Sequence, residues 1–170
     1  KGAIHYLNKK DIDEKSKYLK LDKENKKIIA FIIGGPNKYF DFSEEQTNFI
    51  FNKIKNLFTA DKYKIIVIPS YRTPQNVIKK AYNIFVHDHF VIKEVDKNAY
   101  LSSLSVCDYV IVTSDSTSMI SEAAVTGKPV YIANMKAIKN NHRFQSFYSQ
   151  FKKLGIVRDL EDSIDTWSYN

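Results

Sequence analysis

The chain has 170 residues, of which 44% are hydrophobic, and this length supports one domain with a sizeable core. It contains no apolar run of the roughly 18 residues that a transmembrane segment needs, and it does not begin with a signal-peptide pattern. A formal net charge of +7 raises the question of nucleic acid or an anionic membrane as a partner. Only three of the 26 basic residues are arginines and the lysines are spread along the chain, so we interpret the charge as a solvated surface. We predict no nucleic-acid partner and no transmembrane segment, and leave peripheral membrane contact open.

The cysteine and histidine residues give little sign of metal or redox chemistry. A single cysteine, Cys107, excludes an internal disulfide, and its apolar neighbours predict a buried structural thiol. We therefore expect the reducing cytoplasm as the compartment. His87 and His89, in the stretch HDH, are interpreted as surface histidines near a turn. We predict no metal and no cofactor.

The predicted elements alternate along the chain after a charged stretch at 9–27, which is typical of a solvated surface or linker. Continuous apolar runs ended by turn residues predict strands at 27–35, 63–70, 108–113 and 129–133, with a weaker strand around 89–94. Apolar spacing near 3.6 and capping signals predict helices at 41–58, 73–83, 98–107, 116–126 and 142–155. The alternation predicts an α/β fold: a doubly wound, mostly parallel, Rossmann-like sheet of five to six strands.

Such a sheet predicts where a ligand would bind. Ligands of doubly wound sheets lie beyond the carboxyl ends of the strands, where the strand order reverses. For the usual order 3-2-1-4-5 this point falls between the first and the fourth strand. The loops that follow the first, second and fourth strands should therefore meet there.

Two of these loops carry glycines and positive charge. GGPNKYF follows the first strand; Gly34 and Gly35 would permit close approach of a ligand, and Lys38 offers a cation. Its spacing matches neither the dinucleotide nor the ATP loop, and a simple turn is an equal alternative. SYRTP follows the second strand and brings Arg72 and Thr73 to the edge. Arginine suits bidentate contact with phosphate, although a surface salt bridge explains Arg72 equally well by itself.

The third loop, TSDSTS, opens a helix. Ser116, Thr117 and Ser118 can cap it, and the free amides and dipole of its first turn favour an anion such as phosphate. Glu122 follows, but the spacing does not fit a capping box. Its carboxylate could accept paired hydrogen bonds from the two hydroxyls of a ribose. Taken together, the loops favour a nucleotide-type ligand over bare helix capping.

Two resemblances agree with this. SEAAVTGKPVYI resembles the E-A-x-x-x-G-K-P-V segment in the carboxyl-terminal domains of glycosyltransferases with the GT-B architecture. GAIHYL, FIIGGPNKYFDF, SYRTP, TSDSTSMISEA, GKPVYI, RFQSFYSQFKKLGIVR and WSY resemble, in order, the mitochondrial-fission family named for elongated mitochondria, which includes plant fission factors and bacterial proteins. The resemblance implies that residues 28–160 are the carboxyl-terminal Rossmann-like domain of a longer GT-B-like protein. Residues 1–27 would link it to an amino-terminal domain, and residues 161–170 would be a truncated tail.

The resemblance also implies a function. In GT-B glycosyltransferases the residue matching Glu122 holds the ribose of a nucleotide sugar, whereas the catalytic base usually belongs to the amino-terminal half, so catalytic residues stay unassigned here. Many related glycosyltransferases carry a glycine pair where this chain has Ser116 and Thr117. The two larger side chains disfavour close approach of a pyrophosphate to the backbone here. The candidate nucleotide-sugar site consists of Gly34, Gly35, Lys38, Arg72, Thr73, Ser114, Asp115, Ser116, Thr117, Ser118, Met119 and Glu122.

Three functions are compatible with this site. The first is the nucleotide-sugar-binding domain of a glycosyltransferase-type protein, which would act together with its own amino-terminal domain on a nucleotide diphosphate sugar. The second is a non-catalytic interaction scaffold that kept the fold. The third is a nucleotide-sugar epimerase of the same architecture.

Overall fold

The computed structural model describes residues 7–161 together with Ile164, Trp167 and Tyr169. In this part of the chain the strands are β1 (Lys27–Ile33), β2 (Tyr63–Pro69), β3 (Phe90–Val91), β4 (Tyr109–Thr113), β5 (Val130–Ala133) and β6 (Val157–Asp159). The helices are α1 (Lys9–Asp13), α2 (Glu44–Leu57), α3 (Gln75–Phe85), α4 (Lys97–Val106), α5 (Thr117–Ala124) and α6 (His142–Lys153).

The strands form one parallel sheet in the order β3-β2-β1-β4-β5-β6. The predicted doubly wound Rossmann-like architecture is confirmed. In the register of the centre, Phe31 of β1 lies beside Val67 of β2 and Ile111 of β4. Because the strand order reverses between β1 and β4, their carboxyl ends flank the crevice where such sheets bind ligands.

The core lies on both faces of the sheet, which explains why the strands read as unbroken apolar runs. In β1, Ile29, Phe31 and Ile33 pack on one face, and Ile28, Ala30 and Ile32 pack on the other. The ring of Phe31 makes edge-on contacts with Phe51 at 5.7 Å and Phe85 at 6.2 Å between centroids. These contacts fix α2 and α3 against the strand that carries the first site loop.

Some predictions from the sequence need correction. His89 is not a surface histidine: it is buried, and its Nδ1 accepts a hydrogen bond from the Ile65 amide at 3.0 Å. Burial lowers the pKa of His89 to about 4, so the ring is neutral at pH 7. The charged stretch contains the unpredicted helix α1, whose Ile12 is buried. The prediction for Cys107 is confirmed, because its thiol is buried.

Two features are absent from the described residues. None of their helices is both long and apolar enough to cross a membrane. They contain no group of three or more His, Cys, Asp or Glu side chains that could hold a metal ion.

Candidate functional site

Three loops meet at the carboxyl edge of the sheet and form a cavity of about 320 Å³. It is lined by Asn37, Ser70, Tyr71, Arg72, Asp115, Ser116, Thr117, Ser118 and Met119. These residues follow β1, β2 and β4, the three strands whose loops were expected to converge. Six of the twelve predicted site residues belong to this lining, and the other six do not.

Arg72 is held in place by the chain itself. Its Nη2 donates to Oδ2 of Asp115 at 2.8 Å, and its Nη1 donates to the carbonyl oxygen of Gly35 at 2.8 Å. The Asp115 side chain is 0% exposed whereas that of Arg72 is 40% exposed. The salt bridge is therefore half-buried, and the guanidinium keeps N–H groups that can face a ligand because it has five in all.

Asp115 places a carboxyl group in the interior of the site. Its Oδ2 also accepts from the Gly35 amide at 3.1 Å, whereas Oδ1 is buried with no hydrogen-bond partner among the described residues. Burial raises the pKa of Asp115 and outweighs the lowering by the Thr113 hydroxyl, the Gly35 amide and the Arg72 charge. Arg72 is therefore one of three groups that favour the carboxylate form of Asp115, after the Thr113 hydroxyl and the Gly35 amide.

Gly34 and Gly35 are required by packing within the site. A Cβ on Gly34 would lie 2.1 Å from Oδ2 of Asp115, and one on Gly35 would lie 2.0 Å from the carbonyl oxygen of Arg72. The close approach that the sequence predicted for a ligand is thus made by atoms of the chain itself. The Gly34 amide donates to Oγ1 of Thr113 at 2.8 Å, which ties the end of β1 to the end of β4.

Three other predicted residues lie outside the cavity. Thr73 is buried; its hydroxyl lies 2.7 Å from the Gly34 carbonyl oxygen and accepts from the Ser70 amide at 2.8 Å. Ser114 is buried too, and its Oγ accepts from the Met135 amide at 2.9 Å. These two side chains join the loops together. Lys38 is exposed, and its Nζ lies 5.4 Å from the centre of the Tyr39 ring.

The amino terminus of α5 opens into the cavity. Ser116 is its N-cap and accepts from the Met119 amide at 3.3 Å, so the capping role predicted for this loop is confirmed. The amides of Thr117 and Ser118 have no intrahelical partner, and no described residue accepts a hydrogen bond from them. Free amides at the positive end of a helix dipole attract an anion.

Glu122 is not among the residues that line the cavity. It follows Ser118 by four residues, so both side chains project from the same face of α5. Its Oε1 accepts a hydrogen bond from the Tyr100 hydroxyl at 2.7 Å. Burial, reinforced by the Glu122 charge, raises the pKa of Tyr100 well above its ordinary value, so the phenol stays protonated.

Sequence reasoning missed four residues of the site. Asn37, Ser70 and Tyr71 line the cavity and lie within two stretches already singled out, GGPNKYF and SYRTP. The position of each loop was therefore sufficient to find them. Tyr100 had no local signal, because it lies on a different helix from Glu122, 22 residues away in the chain.

Residues 1–170 match the family model described as Mitochondrial fission ELM1. The chain belongs to this family. It is 32% identical over 147 residues to an uncharacterised protein of Rickettsia prowazekii, a match that covers 82% of this chain and 40% of that relative. It is 28% identical over 150 residues to the mitochondrial fission protein ELM1 of Arabidopsis thaliana, covering 85% of this chain and 34% of that protein. This ELM1-family chain therefore spans less than half the length of both relatives.

The ELM1-family chain also resembles a solved enzyme in fold. The crystal structure of UDP-GlcNAc 2-epimerase from Neisseria meningitidis, bound to UDP-GlcNAc, matches 88% of this chain and 35% of the enzyme with a TM-score of 0.52. The sequence identity is 14%, so this likeness shows the GT-B-like fold alone.

Proposed function

We propose that this chain is the nucleotide-sugar-binding domain of a GT-B-like protein, with the diphosphate held in the cavity at the carboxyl edge of the sheet. One observation carries the proposal. The switch-point cavity joins the free amides of Thr117 and Ser118 to the guanidinium of Arg72. Amides at a helix amino terminus and the guanidinium of an arginine are both donors that suit a phosphate group.

The charges of the site favour moderate affinity. Asp115 cancels much of the positive charge of Arg72, so attraction to a diphosphate rests on directed N–H groups more than on net charge. The same ion pair fixes the guanidinium before a ligand arrives, which reduces the ordering cost of binding. We expect dissociation constants between micromolar and millimolar.

Glu122 is the proposed ribose partner. It projects from the same face of α5 as Ser118, whose amide would meet the phosphate. A carboxylate four residues after Ser118 can accept hydrogen bonds from the ribose hydroxyls while the phosphates lie at the first turn of α5. Sugar transfer itself would need groups outside this chain, because we assign no general base to the described residues.

An interaction scaffold is the second candidate, and the same ion pair favours it. Arg72 already binds Asp115 and Gly35, and the space above both glycines is filled by the chain itself. An arginine that already has partners within the chain is also what a fold that lost its ligand would present. The epimerase alternative has no comparable observation among the described residues.

Calorimetric titration with UDP, GDP, ADP and CMP separates the two candidates. The variants are Arg72→Ala and Glu122→Ala, and Arg143→Ala is the matched control because it removes an exposed arginine on α6, outside the cavity. Circular dichroism confirms that each variant is folded at the titration temperature. Binding of one nucleotide that both site variants weaken by at least about tenfold, or about 1.4 kcal/mol, supports the proposal. Absence of heat with all four nucleotides, from folded protein, supports the scaffold.

A further inference from the structure

Tyr100 holds the carboxylate of Glu122 from outside the cavity. Its hydroxyl, on α4, donates to Oε1 at 2.7 Å, and both side chains are half-buried between α4 and α5. A glutamate on a helix surface ordinarily samples several rotamers, and a short hydrogen bond to a packed phenol selects one of them. The contact therefore fixes where the carboxylate of Glu122 lies.

The other oxygen of this carboxylate is left for a ligand. Oε2 of Glu122 accepts no hydrogen bond from the described residues, and it is not buried. This oxygen therefore reaches solvent. Oε1 keeps a second lone pair beside the one that Tyr100 uses. A vicinal diol needs two acceptor lone pairs with fixed spacing, and a carboxylate held at one oxygen provides them.

We propose that Tyr100 is a positioning residue that aims Glu122 at the two hydroxyls of a ribose, and so makes the site select a ribonucleotide over a nucleotide without those hydroxyls. This inference rests on the proposed function, because it presumes a nucleotide in the cavity. It goes further by assigning sugar selectivity to a contact between two helices.

The test compares UDP with 2′,3′-dideoxy-UDP, which differs only in the two ribose hydroxyls. Dissociation constants for both are measured by calorimetry on the 170-residue chain and on Tyr100→Phe, Glu122→Gln and Tyr18→Phe. Tyr18→Phe is the matched control, since it removes a phenol–carboxylate hydrogen bond of 2.8 Å to Asp96 at the amino terminus of α4. Removal of one hydroxyl in Tyr100→Phe leaves the packed ring in place.

We expect the unmodified chain and Tyr18→Phe to bind UDP about tenfold more tightly than the dideoxy analogue, a difference of about 1.4 kcal/mol. In Tyr100→Phe and Glu122→Gln this ratio should fall to about threefold or less, through weaker binding of UDP with little change for the analogue.

A merely structural role of Tyr100 would weaken the binding of both ligands equally and leave the ratio unchanged, which would overturn the inference. If UDP binding depends on Arg72 while the ratio stays unchanged, the proposed function survives and the role of Tyr100 does not. If the unmodified chain binds neither ligand, the proposed function and the role of Tyr100 fail together.

Discussion

Replacing Arg72 by alanine tests whether the ion pair with Asp115 holds the carboxyl edge of the sheet together. The variant leaves a fully buried carboxyl group without its cation. Breaking a buried ion pair by removing one partner costs about 3–5 kcal/mol when both partners are buried. The Arg72 side chain is 40% exposed, so we expect a smaller loss in the free energy of unfolding at neutral pH, about 2–3 kcal/mol.

The companion variant Asp115→Asn should be milder. Asparagine keeps an acceptor for Arg72 and for the Gly35 amide, and it removes the charge that burial penalises. We expect a loss of about 1 kcal/mol, the typical contribution of one hydrogen bond. In the double variant the change at Arg72 should cost about 1–2 kcal/mol less than it does alone, because no buried charge is left unpaired.

The pH dependence gives an independent signature of the same effect. Burial already raises the pKa of Asp115 above its ordinary value of 3.8, and removing Arg72 raises it further. A raised carboxyl pKa in the folded state means that the contribution of Asp115 to stability is fully present below pH 3.8 and is lost as pH rises through the folded pKa. Arg72→Ala should therefore be closer to the unmodified chain at about pH 5 than at about pH 7.5.

Urea denaturation at these two pH values measures the free energies. The double variant should lose the extra pH dependence, since asparagine does not titrate. A loss of stability in Arg72→Ala that is the same at both pH values, or the same with asparagine at position 115, would refute the assignment of a charged, Arg72-dependent Asp115.

Three other predictions concern stability and reactivity. His89 has a folded pKa of about 4 against an ordinary 6.5, so its contribution to stability is present above pH 6.5 and is lost as pH falls through 4, by about 3 kcal/mol. His89→Asn, which keeps an acceptor for the Ile65 amide, should flatten this loss in urea titrations. Gly34→Ala forces a Cβ to within 2.1 Å of Oδ2 of Asp115, and urea denaturation should show a loss of about 1–3 kcal/mol; an unchanged midpoint would contradict the packing described. Cys107 is buried with a pKa of about 11, so a thiol reagent should label it only as fast as the chain opens, and rapid labelling in buffer without denaturant would contradict its burial.

The fold was largely predictable because its strands are buried on both faces. Such strands are written as unbroken apolar runs, and β1, with six consecutive buried residues, is the clearest case. Short elements escaped prediction for the opposite reason. β6 has three residues, of which only Val157 is buried, and α1 has five residues, of which only Ile12 is buried. Neither shows enough periodicity to be read from the sequence.

The site was predictable as a place but not as a set of contacts. Parallel topology dictates that the loops after β1, β2 and β4 meet, and the sequence shows where each loop begins. It does not show that Arg72 pairs with Asp115, because the two are 43 residues apart and only folding brings them together. The same holds for the Tyr100 hydroxyl on Glu122 and for the buried ring of His89, whose neighbours in the chain resemble a turn.

The ion pair changes how the basic composition of the chain bears on ligand binding. A net charge of +7 suggests an electrostatic attraction for anions, but the cation at the crevice is matched by a buried carboxyl group at 2.8 Å. Recognition of a diphosphate would then depend on the orientation of the Thr117 and Ser118 amides and of the remaining guanidinium N–H groups. Orientation is a property of the folded loops, and both ends of the ion pair fix those loops. The contact that lowers the net charge of the site is therefore also the contact that gives it a defined shape, whether the chain binds a nucleotide sugar or serves as a scaffold.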